Sequence, residues 1–147
     1  MNWLGRNSNA VQALSAILTA LVATAALIGV KYQIDASYRV QREQSAKEIY
    51  REMLNISIAN PDYASPDFCA LKQSPKLAAY ESYVEYVLYT AEQVLEMDPG
   101  WAATFEGHLE SHADYICSTK EWSAHATDVQ ALVTTFRARH CKAEPAC

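Results

Sequence analysis

The sequence predicts an all-α protein: a single N-terminal transmembrane helix continuing into a stalk, then a small antiparallel helical bundle of about three further helices. Three observations predict it. No charge occurs between Arg6 and Lys31. No glycine or proline lies between Val30 and Pro61. In the acidic remainder, apolar residues recur at three- and four-residue spacing, and no candidate strand exceeds four residues. Residues 1–9 then form an N-terminal tail, 10–30 the membrane helix, 31–60 the stalk, 61–140 the acidic bundle and 141–147 a C-terminal tail.

The membrane helix comes first. Ala10–Val30 is 21 residues long. At 1.5 Å per residue it reaches ~32 Å, the thickness of a bilayer core. Val11, Leu14, Ile17, Leu18, Leu21, Val22 and Ile28 fall within about 140° of arc. The opposite side is small, apart from Leu27 and Val30. Apolar burial cannot drive helix pairing in lipid, so small residues that let backbones approach mark a packing face. Ser15, Thr19 and Ala23 form one small-xxx-small row; Ala16, Ala20 and Thr24 form the next, with Gln12 beside them. The expected interface is therefore Gln12, Ser15, Ala16, Thr19, Ala20 and Ala23, facing another membrane protein or a second copy. A cleaved signal peptide with its site at Ala23-Thr24-Ala25 competes, but the apolar run continues past that site.

Flanking charge sets the expected orientation. Arg6 stands before the span; Lys31, Arg39, Arg42, Lys47 and Arg51 follow within ~20 residues. The positive-inside rule puts the C-terminal domain in the cytoplasm. Cys69, Cys117, Cys141 and Cys147 are then expected as free thiols; an exported domain with two disulfides is the opposing reading.

The stalk is charged on most sides, and apolar residues gather only from Ile49 to Ile58, where it is expected to join a core. Asn60-Pro61-Asp62 ends it, and Pro61–Ser74 reads as an ordered loop. Ser74-Pro75 signals a helix start, followed by a stripe from Leu77 through Tyr80, Val84, Val87 and Ala91 to Leu95. Asp98-Pro99 repeats the signal for a helix over Gly100–Cys117. Ser118-Thr119-Lys120-Glu121 fits a capping box and opens a last helix ending near His140. The roughly 85 residues from Asn60 onward are near the lower limit for a self-sufficient core, so help from the stalk end or a partner is expected.

Charge narrows the partners. Residues 61–147 hold 13 acidic and 6 basic side chains, and no Lys or Arg occurs between Lys76 and Lys120. Glu81, Glu85, Glu92 and Glu96 lie on one stripe; Glu106, Glu110 and Asp114 lie on another. Such a surface repels phosphate and argues against nucleic acid. Tyr80, Tyr83, Tyr86 and Tyr89 ring one helix, and Tyr86 and Tyr89 point off the apolar stripe toward an expected partner.

Chemistry is sparse. His108 and His112 share a helix face at i,i+4, and His125 edges the next stripe, so these three are the candidate metal or haem ligands. Neither H-E-x-x-H nor Glu-x-x-His occurs. His140-Cys141 with Cys147 is a weaker metal candidate, because a mobile tail lacks supporting groups. With four glycines in all, a phosphate-cradling loop is excluded. Asn55-Ile56-Ser57 matches a glycosylation sequon but sits inside a helix. The expected function is non-enzymatic: a single-pass cell-membrane protein acting as accessory or adaptor subunit of a larger membrane assembly, without a cofactor. The alternative is a membrane-anchored sensor that binds zinc or haem through the bundle histidines.

Overall fold

The computed structural model describes residues 8–118 and 122–141. The tail through residue 7, most of the expected capping box (119–121) and the tail from 142 lie outside the described residues. Within them the chain is all-helical, with no strand. It divides into two compact units, residues 1–41 and 42–147.

Helix α1 is Ser8–Ala59 and contributes to both units. In the first unit it is exposed throughout and long and apolar enough to cross a membrane, and no part of its most apolar window is buried. Its hydroxyls turn back on their own helix. Ser15 Oγ donates to the Gln12 carbonyl (2.9 Å), Thr19 Oγ1 to Ser15 (2.8 Å) and Thr24 Oγ1 to Ala20 (2.8 Å).

The second unit begins at Arg42, whose Nη2 donates to the carbonyls of Glu96 (2.6 Å) and Met97 (2.8 Å). Those carbonyls end a helix and have no intrahelical partner, so the guanidinium caps them. Ala46 and Met53 are fully buried, with Ile49, Tyr50, Leu54 and Ile56 packed beside them. The expected joining of the stalk to a core thus starts as early as Ala46.

Beyond Asn60 the expected loop instead holds two short helices, α2 (Pro61–Ala64) and α3 (Phe68–Leu71). Asp67 caps α3 by accepting the Ala70 N–H (3.1 Å), and Phe68 is buried. For α3 this cap offsets the nearby prolines, while in α2 Pro61 stands at the first helical position, where its missing N–H costs nothing. Helix α4 is Leu77–Met97, two residues after Pro75, because Ser74 closes a turn first. Its Oγ accepts the Lys76 N–H at 3.1 Å, and its carbonyl accepts that of Leu77 at 3.3 Å. α4 buries Tyr80, Val84, Leu88, Ala91 and Leu95 along one line and Tyr83, Val87, Thr90 and Val94 along the next. It contacts both α5 and α7.

The helix expected over 100–117 is broken into three pieces. Pro99–Trp101 is a 3-10 turn started by Asp98, whose Oδ1 accepts the Gly100 N–H at 2.8 Å. α5 (Ala102–Glu110) and α6 (Ala113–Ser118) follow, separated by a turn at Ser111-His112. There the His112 N–H reaches back only three residues, to Leu109 (2.9 Å). The last helix, α7, is Thr127–His140 rather than 118–140. The Gln130 side chain holds the preceding turn by donating to the carbonyls of His125 (2.7 Å) and Ser123 (3.4 Å). Trp122 and His125 therefore precede the helix instead of riding on it.

The thiol expectation is overturned. Cys117, in α6, is disulfide-bonded to Cys141, directly after α7. Cys69 is disulfide-bonded as well, and no free cysteine remains among the described residues. Sequence separation alone cannot bring these thiols together; the fold does, by laying the end of α7 against α6.

Candidate functional site: a tyrosine–histidine core

The interior of the second unit holds a cluster of hydrogen-bonded tyrosines and histidines. Tyr50 comes from α1, and its hydroxyl shares a 2.8 Å hydrogen bond with His108 Nε2 on α5. Tyr80 comes from α4, and its hydroxyl shares a 3.1 Å bond with His112 Nδ1 in the α5–α6 turn. Tyr83, one turn on, bonds through its hydroxyl to Ser57 Oγ of α1 at 2.6 Å. His112 is only 3% exposed and stacks obliquely on the rings of Tyr80 (5.8 Å) and Tyr83 (5.7 Å). Tyr80 also meets Phe68 and Tyr115 edge-on or tilted, and Tyr50 meets Trp101 and Phe105.

Burial fixes the protonation of this cluster. It lowers the His108 pKa, and it lowers that of His112 further, to about 4, with the neighbouring His108 charge adding to the effect. Burial raises the pKa of Tyr50 and, with Tyr115, Asp114 and Tyr83 nearby, raises that of Tyr80 more strongly. At neutral pH both imidazoles are uncharged and both phenols keep their protons. Neutral Tyr–His pairs satisfy each other without a buried charge.

The three candidate metal ligands are not gathered. The turn at Ser111-His112 breaks the i,i+4 register on which a shared helix face depends. His125 stands apart, stacked near Trp122 (5.9 Å) with its Nε2 3.5 Å from Glu85 Oε1. Among the described residues no three His, Cys, Asp or Glu side chains converge on a point that suits a metal. His140 lies over Phe136 (4.5 Å, nearly parallel), and its Nε2 is 3.4 Å from Glu106.

The expected contact residues divide. Gln12, Ser15, Ala16, Thr19, Ala20 and Ala23 are all exposed on α1. Tyr89 is 55% exposed, whereas Tyr86 packs against the core. The acidic stripes are partly consumed inside the domain. Glu106 holds Arg139 (2.9 and 3.0 Å), Glu92 accepts the Ala126 N–H (3.3 Å) and Glu85 faces His125. Glu81, Glu96 and Glu110 remain exposed. Sequence reasoning missed Tyr50, Ser57, Tyr80 and Tyr83 as hydrogen-bond partners. Their one signal is an excess of tyrosine on stripes that also carry histidine.

No protein family matches the chain, and neither a curated protein nor a solved structure does. What fold and site define is an all-helical protein with one candidate membrane-spanning helix and a neutral, internally bonded aromatic core.

Proposed function

We propose that this is a single-pass membrane protein whose helical domain, a small bundle, serves as a non-enzymatic accessory subunit of a larger membrane assembly. The observation that carries the reading is the uncovered apolar part of α1, none of whose most apolar window is buried by the rest of the chain. Lipid, and a partner helix on the small side, are its natural cover. Because Ser15, Thr19 and Thr24 spend their donors on their own helix, that side offers close backbone approach rather than hydrogen bonds. Tyr89 and the exposed glutamates are the proposed contacts of the domain.

The disulfides bear on which side the domain occupies. Structural disulfides do not persist against the cytosolic thiol pool. That chemical requirement outweighs a charge bias made by five basic residues spread over ~20 positions. We therefore propose that the domain faces the oxidising side of the membrane. A zinc or haem sensor is less favoured, because tyrosine hydroxyls occupy His108 and His112 and His125 stands elsewhere.

Purification in mild detergent from native membranes tests the reading. A stoichiometric partner is expected with the unaltered chain and lost with Ala16→Leu/Ala20→Leu while the domain stays folded. Equal recovery with that variant counts against the small face. In intact cells, thiol-directed reagents are expected to label the chain only after reduction; labelling without reductant returns the domain to the cytoplasm.

A further inference from the structure

The inner face of α7 is spent on the core through Val129, Leu132, Val133 and Phe136. Among the described residues nothing covers its outer face. Between Asp128 in the first turn and Arg139 in the last, the exposed positions are Ala131, Thr134, Thr135 and Ala138. Beside this face opens a groove of about 440 Å³, lined by Leu95, Ala102, Ala131, Leu132, Thr135 and, at its ends, Asp128 and Arg139. The two charges are eleven residues apart on one helix, which is about 16 Å. Such a row is its own complement. Turned end for end, Asp128 meets Arg139, with the small exposed residues Ala131 and Thr135 between the two charges.

We propose that this face binds a second copy of the chain, through an antiparallel α7–α7 contact about a two-fold axis in which Asp128 of each copy pairs with Arg139 of the other. An isologous interface requires self-complementarity, and this row has it in both charge and size. The exposed Ala131, Thr134, Thr135 and Ala138 let the two backbones approach, and antiparallel helices bring opposite dipole ends together. The charges are available for the task. Asp128 is exposed, and Arg139 is 62% exposed and holds Glu106 through Nη1 alone. Its remaining donors can take a second carboxylate. An apolar ligand would fill the groove without needing either end charge, and an unrelated helix would not need the two ends to match each other.

The experiment uses the full chain in mild detergent, carrying Arg139→Lys, and a zero-length carbodiimide that joins a carboxylate to an amine. Within one chain residues 128 and 139 are about 16 Å apart, so an amide between them forms only between copies. We expect a covalent dimer whose digest contains the 128–139 linkage, reduced at least tenfold when Asp128→Asn is added. The intrachain 106–139 linkage in the same digest shows that the domain is folded and the reagent has reached residue 139. A digest with the 106–139 linkage and no 128–139 linkage overturns the proposal. A dimer joined only through other residues does the same, since it leaves the groove to lipid, ligand or another protein.

Discussion

Protonating His112 inside the core sets a charge among aromatic rings, with a tyrosine hydroxyl as its nearest polar neighbour. The unfolded chain has no such difficulty, so its histidine takes a proton near pH 6.5 while the folded one waits until about 4. Between those values the unfolded state binds more protons, and stability therefore falls as pH falls. It is complete above about pH 6.5, and the loss reaches about 3 kcal/mol near pH 4 from this residue alone. His108 shifts in the same direction and adds to the slope. Thermal melts from pH 7.5 to 4 should show the midpoint dropping steadily. His112→Gln keeps a partner for Tyr80 without a titrating ring, so its melts should depend less on pH in this range. Equal slopes in both proteins would remove His112 as the cause.

At the scale of elements, two connections, one covalent and one made of hydrogen bonds, join helices distant along the chain. The Cys117–Cys141 bond closes a segment of 24 residues around α7. Restricting a loop of that length in the unfolded chain contributes about 3 kcal/mol. Cys117→Ser/Cys141→Ser should lower the denaturant midpoint accordingly while leaving the helical far-ultraviolet signal largely intact. The other connection is Arg42, which joins α1 to the end of α4 through two carbonyls. Arg42→Met keeps the aliphatic stem and removes both bonds, at an expected cost of about 1 kcal/mol because the site is exposed. Calorimetry distinguishes this from no effect.

Why were some elements legible and others not? The apolar span, α4 and the core-facing half of α7 carry long periodic signals, and their inward residues follow from spacing alone. The breaks inside 99–126 do not. They depend on single hydrogen bonds, from His112 to Leu109 and from the Gln130 side chain to His125, that local sequence leaves undetermined. The histidines were visible as residue types, but their tyrosine partners come from helices far away in sequence. The disulfide was the hardest to read, since charge around the span argued for reduced thiols and only the closeness of α6 to the end of α7 argues otherwise.

The molecule as a whole combines an uncovered apolar helix with a domain closed upon itself. Its tyrosine–histidine core is neutral and paired, as in Tyr50 with His108 and Tyr83 with Ser57, whereas the buried Trp122 Nε1 has no hydrogen-bond partner among the described residues. The surfaces proposed for recognition lie outside that core: the small face of α1, Tyr89 with the exposed glutamates, and α7. The proposed surfaces differ in chemistry, so they should fail separately. Leucine substitutions at Ala16 and Ala20 are expected to weaken the proposed helix contact alone, and Asp128→Asn the proposed contact between copies alone.

Arg42 also fixes where the chain can be cut. A protease acting at or before Gln41 leaves Arg42, Ala46, Tyr50, Met53 and Ser57 attached to the helices they complete. The released fragment keeps its capping guanidinium and its tyrosine–histidine pairs, and it should survive the cut as a folded body. A cut a few residues later, between Lys47 and Met53, strands half of those groups on the wrong side, and the remainder should be degraded. Resistance to digestion should therefore change abruptly within two turns of one unbroken helix.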